Sequence, residues 1–316
     1  MADFKVYVTD GRHSSYDIER DMLAQIGAEL QVCQCATEED IIRECSDADA
    51  ILLDMGAKAI NALAHCKIIN RYGVGYDNVD LNACTAKGIQ VTNVPDYCAE
   101  DVSDHALALM LACLRDVARR DRLVRQGQWN LQRTSFRLSG KVLGVLGFGR
   151  IARALVKKCS GFGFTRILVY DPYISAEACA SLGAIKTELN TVLKEADFLS
   201  LHMPVTPETT GMLNKETLSL MKPTAIVVNT GRGPLIDDEA MLDALKTHKI
   251  LCAGLDTHNR EPLPANSPYF ELDNVILTDH TAYSTVEAVE ELKIKSAQNI
   301  INALTGVPPV YPVNEL

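Results

Sequence analysis

Apolar and polar positions along this chain fall into two rhythms. Short apolar runs, too brief for helices, recur at 5–9, 30–32, 50–53, 68–70 and 89–91, and between them 16–26 and 38–45 carry apolar residues at helical spacing. Strands that alternate with helices in this way build a parallel sheet. Pro95 closes the series, and a long helix is expected over 101–115, opened by Glu100, Asp101 and Asp104, the charge a helix N-terminus favours. Ala106, Leu107, Leu109, Met110 and Leu111 make it apolar on most faces, so it is expected to be buried between domains or subunits. The alternation then resumes, with strands expected at 142–146, 167–171, 196–202, 225–229, 251–256 and 275–277. A last helix, 285–304, has no strand after it and is expected to pack back on the first domain.

The stretch 141–171 carries the most information. An apolar strand runs directly into Gly147-Phe148-Gly149-Arg150-Ile151-Ala152, a helix follows, and a second apolar strand ends on Asp171. This is a dinucleotide-binding fingerprint in its strand, helix, strand setting. Gly147 permits the tight turn, Gly149 lets the backbone approach a pyrophosphate, and Ala152 keeps the helix close to the strand. The N–H groups at the helix start face the anion. Asp171 is placed to accept hydrogen bonds from ribose hydroxyls and to repel the extra phosphate of NADP, so NAD is the expected cofactor.

Length and composition bound this reading. A chain of 316 residues with 47% hydrophobic and 23% charged content predicts about two ordinary globular domains. No apolar run approaches the ~20 residues of a membrane span, and the first residues do not form a secretory signal, so a cytoplasmic protein is expected. The net charge of −10 argues against nucleic acid, and the basic run of Arg115, Arg119, Arg120, Arg122 and Arg125 is expected to be solvated or to face a subunit. Ten cysteines are scattered singly, which predicts reduced, buried thiols. Cys33, Cys35 and Cys45 lack the fourth ligand and paired spacing of a zinc site, so no metal is expected.

Chemistry concentrates at the carboxyl ends of strands. The loop from Arg71 to Asn78, with Gly73 and Gly75, lies where open parallel sheets hold ligands, and it reads equally as a plain strand-to-helix turn. Arg232, in Asn229-Thr230-Gly231-Arg232-Gly233, can hold a carboxylate through two parallel hydrogen bonds. Asp256 ends the next strand with Glu261-Pro262 just beyond, and His280 ends the last. An arginine, a carboxylate and a histidine beside a dinucleotide are the set needed to oxidise a hydroxy acid.

From about Val6 to Leu304 these motifs, with His202-Met203-Pro204-Val205-Thr206-Pro207-Glu208-Thr209, resemble the NAD-dependent D-2-hydroxyacid dehydrogenases. The loops at 71–77 and 93–98 are most similar to the branch of the C-terminal-binding proteins, some of which are NAD(H)-sensing corepressors. The resemblance implies an α/β fold of two doubly wound parallel-sheet domains. A Rossmann cofactor domain, 100–284, is inserted into a flavodoxin-like substrate domain, 1–99 and 285–316. It implies a homodimer, a small D-2-hydroxy or 2-oxo acid as substrate, Arg232 as anchor, His280 as acid/base and Glu261 as its orienting partner. It further implies Val74 and Gly75 as backbone donors to the substrate carboxylate. Arg150, Ile151, His202, Pro204, Thr206, Thr230 and Asp256 would line the cofactor, Asp256 at its carboxamide. Thr257-His258-Asn259 and Asp279 depart from the family pattern. Many phosphoglycerate dehydrogenases carry an arginine after the third strand. This chain offers only Lys58 there, which favours an unphosphorylated acid over 3-phosphoglycerate. The alternatives are an NAD(H)-sensing, corepressor-like scaffold with weak turnover, or a 3-phosphoglycerate dehydrogenase.

Overall fold

The structure, a computed structural model, describes residues 2–11, 13–52, 56–129 and 135–316. In chain order the elements begin with β1 (Phe4–Val8), α1 (Asp17–Ala24), β2 (Ala28–Val32), α2 (Glu38–Cys45), β3 (Ala50–Leu52), α3 (Ala57–Ala62), β4 (Ile68–Asn70), α4 (Leu81–Ala86) and β5 (Gln90–Thr92). They continue with α5 (Ala99–Arg115), α6 (Val117–Arg125), β6 (Val142–Leu146), α7 (Arg150–Cys159), β7 (Arg166–Tyr170), α8 (Ala176–Ala180), β8 (Ile185–Lys186) and α9 (Leu189–Glu195). The last are β9 (Phe198–Leu201), α10 (Lys215–Leu220), β10 (Ile226–Asn229), α11 (Asp238–Lys246), β11 (Cys252–Leu255), β12 (Val275–Leu277) and α12 (Val286–Leu304).

Two compact units result, one of Met1–Tyr97 with Thr285–Leu316 and one of Cys98–Ser284. The first unit holds a parallel sheet in the order β2-β1-β3-β4-β5, with Val6 opposite both Leu30 and Ala50. That order reverses between β1 and β3, the flavodoxin-like form of a doubly wound sheet. The last helix, α12, belongs to this unit and packs on α1 and β4.

The second unit holds seven parallel strands in the order β12-β11-β10-β9-β6-β7-β8, reversing between β6 and β9. Successive side chains of a strand point to opposite faces, and here they enter two separate cores. Val142, Leu146 and Val227 join one with Met241 and Leu245 of α11, while Leu143, Val145 and Val228 join the other with Leu155 and Val156 of α7. Strands buried on both faces are why the sequence shows continuous apolar runs rather than alternation. Full burial of each large side chain, such as Leu143 at 0% exposure, contributes about 1.5–3 kcal/mol.

Several elements differ from expectation. The long helix α5 is buried within the second unit, on α7, β10 and β11; a side chain at Gly254 would meet Leu109 Cβ at 2.9 Å. The basic run is split: Arg115 ends α5, and Arg119, Arg120, Arg122 and Arg125 lie on a helix of their own, α6, set off by Asp116 in the left-handed region at φ 56°. None of its residues is buried, and Arg119 and Arg125 pair with Asp273 and Asp121 at 2.7 and 2.8 Å. The helices α3 and α4 and the strand β8 are too short for a periodic signal. Leu53, Asp54 and Met55, with part of the polar stretch after α6, lie outside the described residues. None of the ten cysteines is in a disulfide; Cys33 and Cys35 are only half-buried, against expectation, and burial pushes the thiols of Cys66, Cys84 and Cys159 up to about 12.

Candidate active site

In the second unit, β6 delivers Gly147 at φ 83°, a conformation that favours glycine. A Cβ there would stand 2.8 Å from the His202 carbonyl oxygen, so the turn and the close approach both require glycine. Gly149 adopts an ordinary φ of −73°, yet a Cβ on it would meet nothing within 4 Å, which leaves open space over the start of α7. Gly149 caps that helix without a side-chain acceptor, so its first N–H groups remain for an anion. Arg150 is exposed and Ile151 half-buried at this end. Asp171 follows β7; its Oδ2 accepts the Phe148 N–H at 2.8 Å and its Oδ1 the Tyr173 N–H at 2.9 Å. The carboxylate is thereby fixed beside the glycine turn, with lone pairs left for hydroxyl donors.

Beyond β9, His202 and Ser200 Oγ lie 2.8 Å apart, and burial lowers the imidazole to about 4, so the ring is neutral. Its Nδ1 and the Thr230 Oγ1 are buried without a hydrogen-bond partner among the described residues, an expensive state that marks a place for a ligand's polar groups. The next turn is closed by Thr209, whose hydroxyl donates to the Pro204 carbonyl at 2.7 Å and accepts the Thr206 N–H at 2.8 Å. An open helix start, a carboxylate beside it and orphaned polar atoms just beyond the carboxyl ends of β9 and β10 fit a dinucleotide.

The strands β10, β11 and β12 deliver the reactive groups. The Asn229 amide donates to the Arg232 carbonyl at 2.8 Å and its oxygen accepts the Gly231 N–H at 3.0 Å, shaping the turn that carries Arg232. A Cβ on Gly233 would lie 2.1 Å from the His258 backbone carbon, so this turn sits backbone to backbone against the segment leading to Glu261. Glu261 Oε2 and His280 Nδ1 are 2.7 Å apart, and Glu261 Oε1 accepts the His258 N–H at 2.8 Å. Burial alone would push this carboxyl up. The His280 and His258 hydrogen bonds and the imidazole charges outweigh it and hold Glu261 below the usual carboxylate range. A carboxylate only accepts, so Nδ1 carries the proton and the His280 Nε2 is left to exchange one with a ligand.

His280 has φ 57°, strain of about 1–2 kcal/mol for a side chain with a Cβ. Asp256 offsets it. Its carbonyl accepts the His280 N–H at 2.8 Å, and its carboxylate accepts the Thr281 and Ala282 N–H groups at 3.1 Å each. Thr278 Oγ1 donates to the same carboxylate at 2.6 Å, and His105 of α5 reaches Thr278 at 3.0 Å. Asp256 is 0% exposed, so its side chain serves the His280 turn. The sequence gives no sign of this role for Thr278, 22 residues from Asp256, or for His105, far from both Asp256 and His280 along the chain. For His258, whose ring donates to the Thr278 carbonyl at 2.9 Å, the only signal was its departure from the family pattern.

Val74 and Gly75 lie in the first unit, on the loop after β4. The Gly73 carbonyl accepts the Val94 N–H at 3.0 Å, and the Val74 carbonyl accepts the Asn93 amide at 2.7 Å. A trans peptide sets its N–H opposite its C=O. The Val74 and Gly75 N–H groups therefore turn away from the Val94 N–H and the Asn93 amide that their own peptides' carbonyls accept.

Residues 107–282 match the family described as D-isomer specific 2-hydroxyacid dehydrogenase, NAD binding domain. The chain is 39% identical over 308 residues to the D-3-phosphoglycerate dehydrogenase of Methanocaldococcus jannaschii, covering 96% of this chain and 58% of that protein. It is 39% identical over 289 residues to the glyoxylate reductase of Pyrococcus furiosus, covering 88% and 85%. Among solved structures, D-lactate dehydrogenase from Aquifex aeolicus, complexed with NAD and lactic acid, superposes with a TM-score of 0.86 at 27% identity, over 96% of each chain. The chain thus spans little more than half the length of the phosphoglycerate dehydrogenases it matches and most of the glyoxylate reductase.

Proposed function

The chain belongs to the D-isomer specific 2-hydroxyacid dehydrogenase family and carries its NAD-binding domain, and from that premise we propose that it transfers hydride between NAD(H) and a small D-2-hydroxy acid or its 2-oxo acid, such as glyoxylate or hydroxypyruvate. The observation that carries the reading is the 2.7 Å pair of Glu261 and His280, with Nε2 of the imidazole left for substrate. NAD(H), when bound, accepts or donates the hydride. In oxidation neutral His280 takes the hydroxyl proton at Nε2; in reduction its charged form returns a proton to the oxygen on C2. Glu261 orients the ring and stabilises its charged form. Arg232 holds the substrate carboxylate with its planar fork. Val74 and Gly75 are assigned as backbone donors to that carboxylate, and the first unit as the substrate-binding domain.

For the cofactor, Gly147, Gly149, Arg150 and Ile151 are assigned to the pyrophosphate and Asp171 to the ribose. His202, Pro204, Thr206 and Thr230 are assigned to its remaining length. The full burial of Asp256 supports assigning it to the His280 turn in place of the carboxamide. Lys58, the one cation considered for a phosphate, pairs with Glu39, which supports an unphosphorylated acid. A homodimer is the assembly proposed from the family resemblance, and sedimentation would test it. The reaction is tested by adding glyoxylate, pyruvate, hydroxypyruvate and 3-phosphohydroxypyruvate to enzyme with NADH and following NADH absorbance. Consumption of NADH with an unphosphorylated acid is expected. No turnover with any of them would overturn the reading, and a preference for the phosphorylated acid would overturn the substrate class.

A further inference from the structure

The loop that presents Val74 and Gly75 begins with a tyrosine whose hydroxyl is used deep inside the first unit. Tyr72 is 4% exposed, and its Oη donates to Glu19 Oε1 of α1 at 2.6 Å, the length of a charge-assisted O–H···O⁻ bond. Glu19 is 0% exposed, and its Oε2 has no hydrogen-bond partner among the described residues. His13 packs edge-on against the Tyr72 ring, with centroids 5.5 Å apart. Burial, and then the Glu19 charge, holds the Tyr72 hydroxyl well above its ordinary value, so it remains a donor.

As a device for stability this pair is poor. A buried carboxylate with one oxygen unsatisfied costs free energy, and a well-packed apolar pair in its place is often neutral or stabilising. Such a bond gives direction. Gly73, next to Tyr72, sits at φ 141°, a region open to glycine, so this backbone has no side-chain constraint of its own. Its direction is set on one side by the Val94 and Asn93 bonds to the Gly73 and Val74 carbonyls, and on the other by Tyr72.

We propose that Glu19 and Tyr72 are positioning residues for the 2-oxo acid: their buried hydrogen bond tethers the loop after β4 to α1 and keeps the Val74 and Gly75 N–H groups aimed at the substrate carboxylate. The inference rests on the dehydrogenase reading above and names a further part of that substrate site.

The test uses the full-length enzyme. In Tyr72→Phe the KM for glyoxylate should rise about ten- to a hundredfold, the worth of one hydrogen bond to a charged group. kcat and the NADH dissociation constant, which reports on the second unit, should hold within about twofold, as expected when binding is lost equally from ground and transition states. Because Tyr72→Phe strands the Glu19 charge and can impair folding, Glu19→Leu/Tyr72→Phe removes both polar groups. It should recover Tm while KM stays high. Glu19→Gln keeps an acceptor for Tyr72 and should keep KM close to wild type. A KM unchanged in the double variant, or one that returns to normal along with Tm, would make the pair purely structural and overturn the proposal. Hydrogen exchange across 71–78 separates this failure from failure of the enzyme reading. If wild type reduces none of the acids, the enzyme reading falls. Faster exchange in the double variant then still supports the tether, and unchanged exchange removes it.

Discussion

Replacing Glu261 by Gln keeps the size and an acceptor oxygen but removes the charge facing His280. The wild-type bond is 2.7 Å long, with both side chains about one-third exposed. Hydrogen bonds to charged groups contribute about 1.5–3 kcal/mol, and solvent screening at this exposure places the pair at the lower end. About 1.4 kcal/mol is a factor of ten, so kcat/KM for reduction of the 2-oxo acid should fall about tenfold at neutral pH, while the NADH dissociation constant is unchanged. The pH dependence has a definite sign. Glu261 is held below its ordinary value of 4.5 in the folded protein, so the stability it contributes is present above that value and is lost as pH falls through the lower, folded-state one. Glu261→Gln has no such group, so the stability difference between the two proteins should shrink below pH 4.5. The assays are steady-state NADH oxidation from pH 5 to 9 and urea denaturation from pH 3 to 7. Superimposable rate profiles for wild type and Glu261→Gln would refute the reasoning and reduce Glu261 to a turn residue.

Three further outcomes are expected. Arg232→Lys keeps charge but loses the fork, so kcat/KM for the 2-oxo acid should drop at least about tenfold with NADH binding intact; unchanged turnover in Arg232→Ala would move the anchor elsewhere. Asp171 should make the protein prefer NADH, since the 2′-phosphate of NADPH would meet its carboxylate, and equal affinity for the two in a fluorescence titration would remove that assignment. Gly147→Ala places a Cβ 2.8 Å from the His202 carbonyl oxygen at φ 83°. It should cost at least about 2 kcal/mol from strain and overlap, read as a lower Tm with loss of NADH binding.

Where a signal is local, the sequence carried it to within a residue or two. The strand, glycine turn and helix from Val142 to Cys159 depend on neighbours along the chain, since a positive φ at Gly147 and apolar runs buried on both faces leave direct marks on residue choice. The same holds for α2, found at Glu38–Cys45, where Thr37 and Asp40 form a reciprocal cap. Arg232, Glu261 and His280 were legible as types at strand ends, the position where open sheets place ligands. Short helices such as α3 and α4 were not, because six residues complete less than two turns. The partners of the site were decided by folding alone. Only the packing of α5 on β11 brings His105 to Thr278 and Asp256, only the fold brings the Asp256 carboxylate to the Thr281 and Ala282 N–H groups, and only the close approach of α1 to the loop after β4 puts Glu19 on Tyr72. Such contacts join positions far apart in the chain through a single atom pair, and neither residue's immediate neighbours record them.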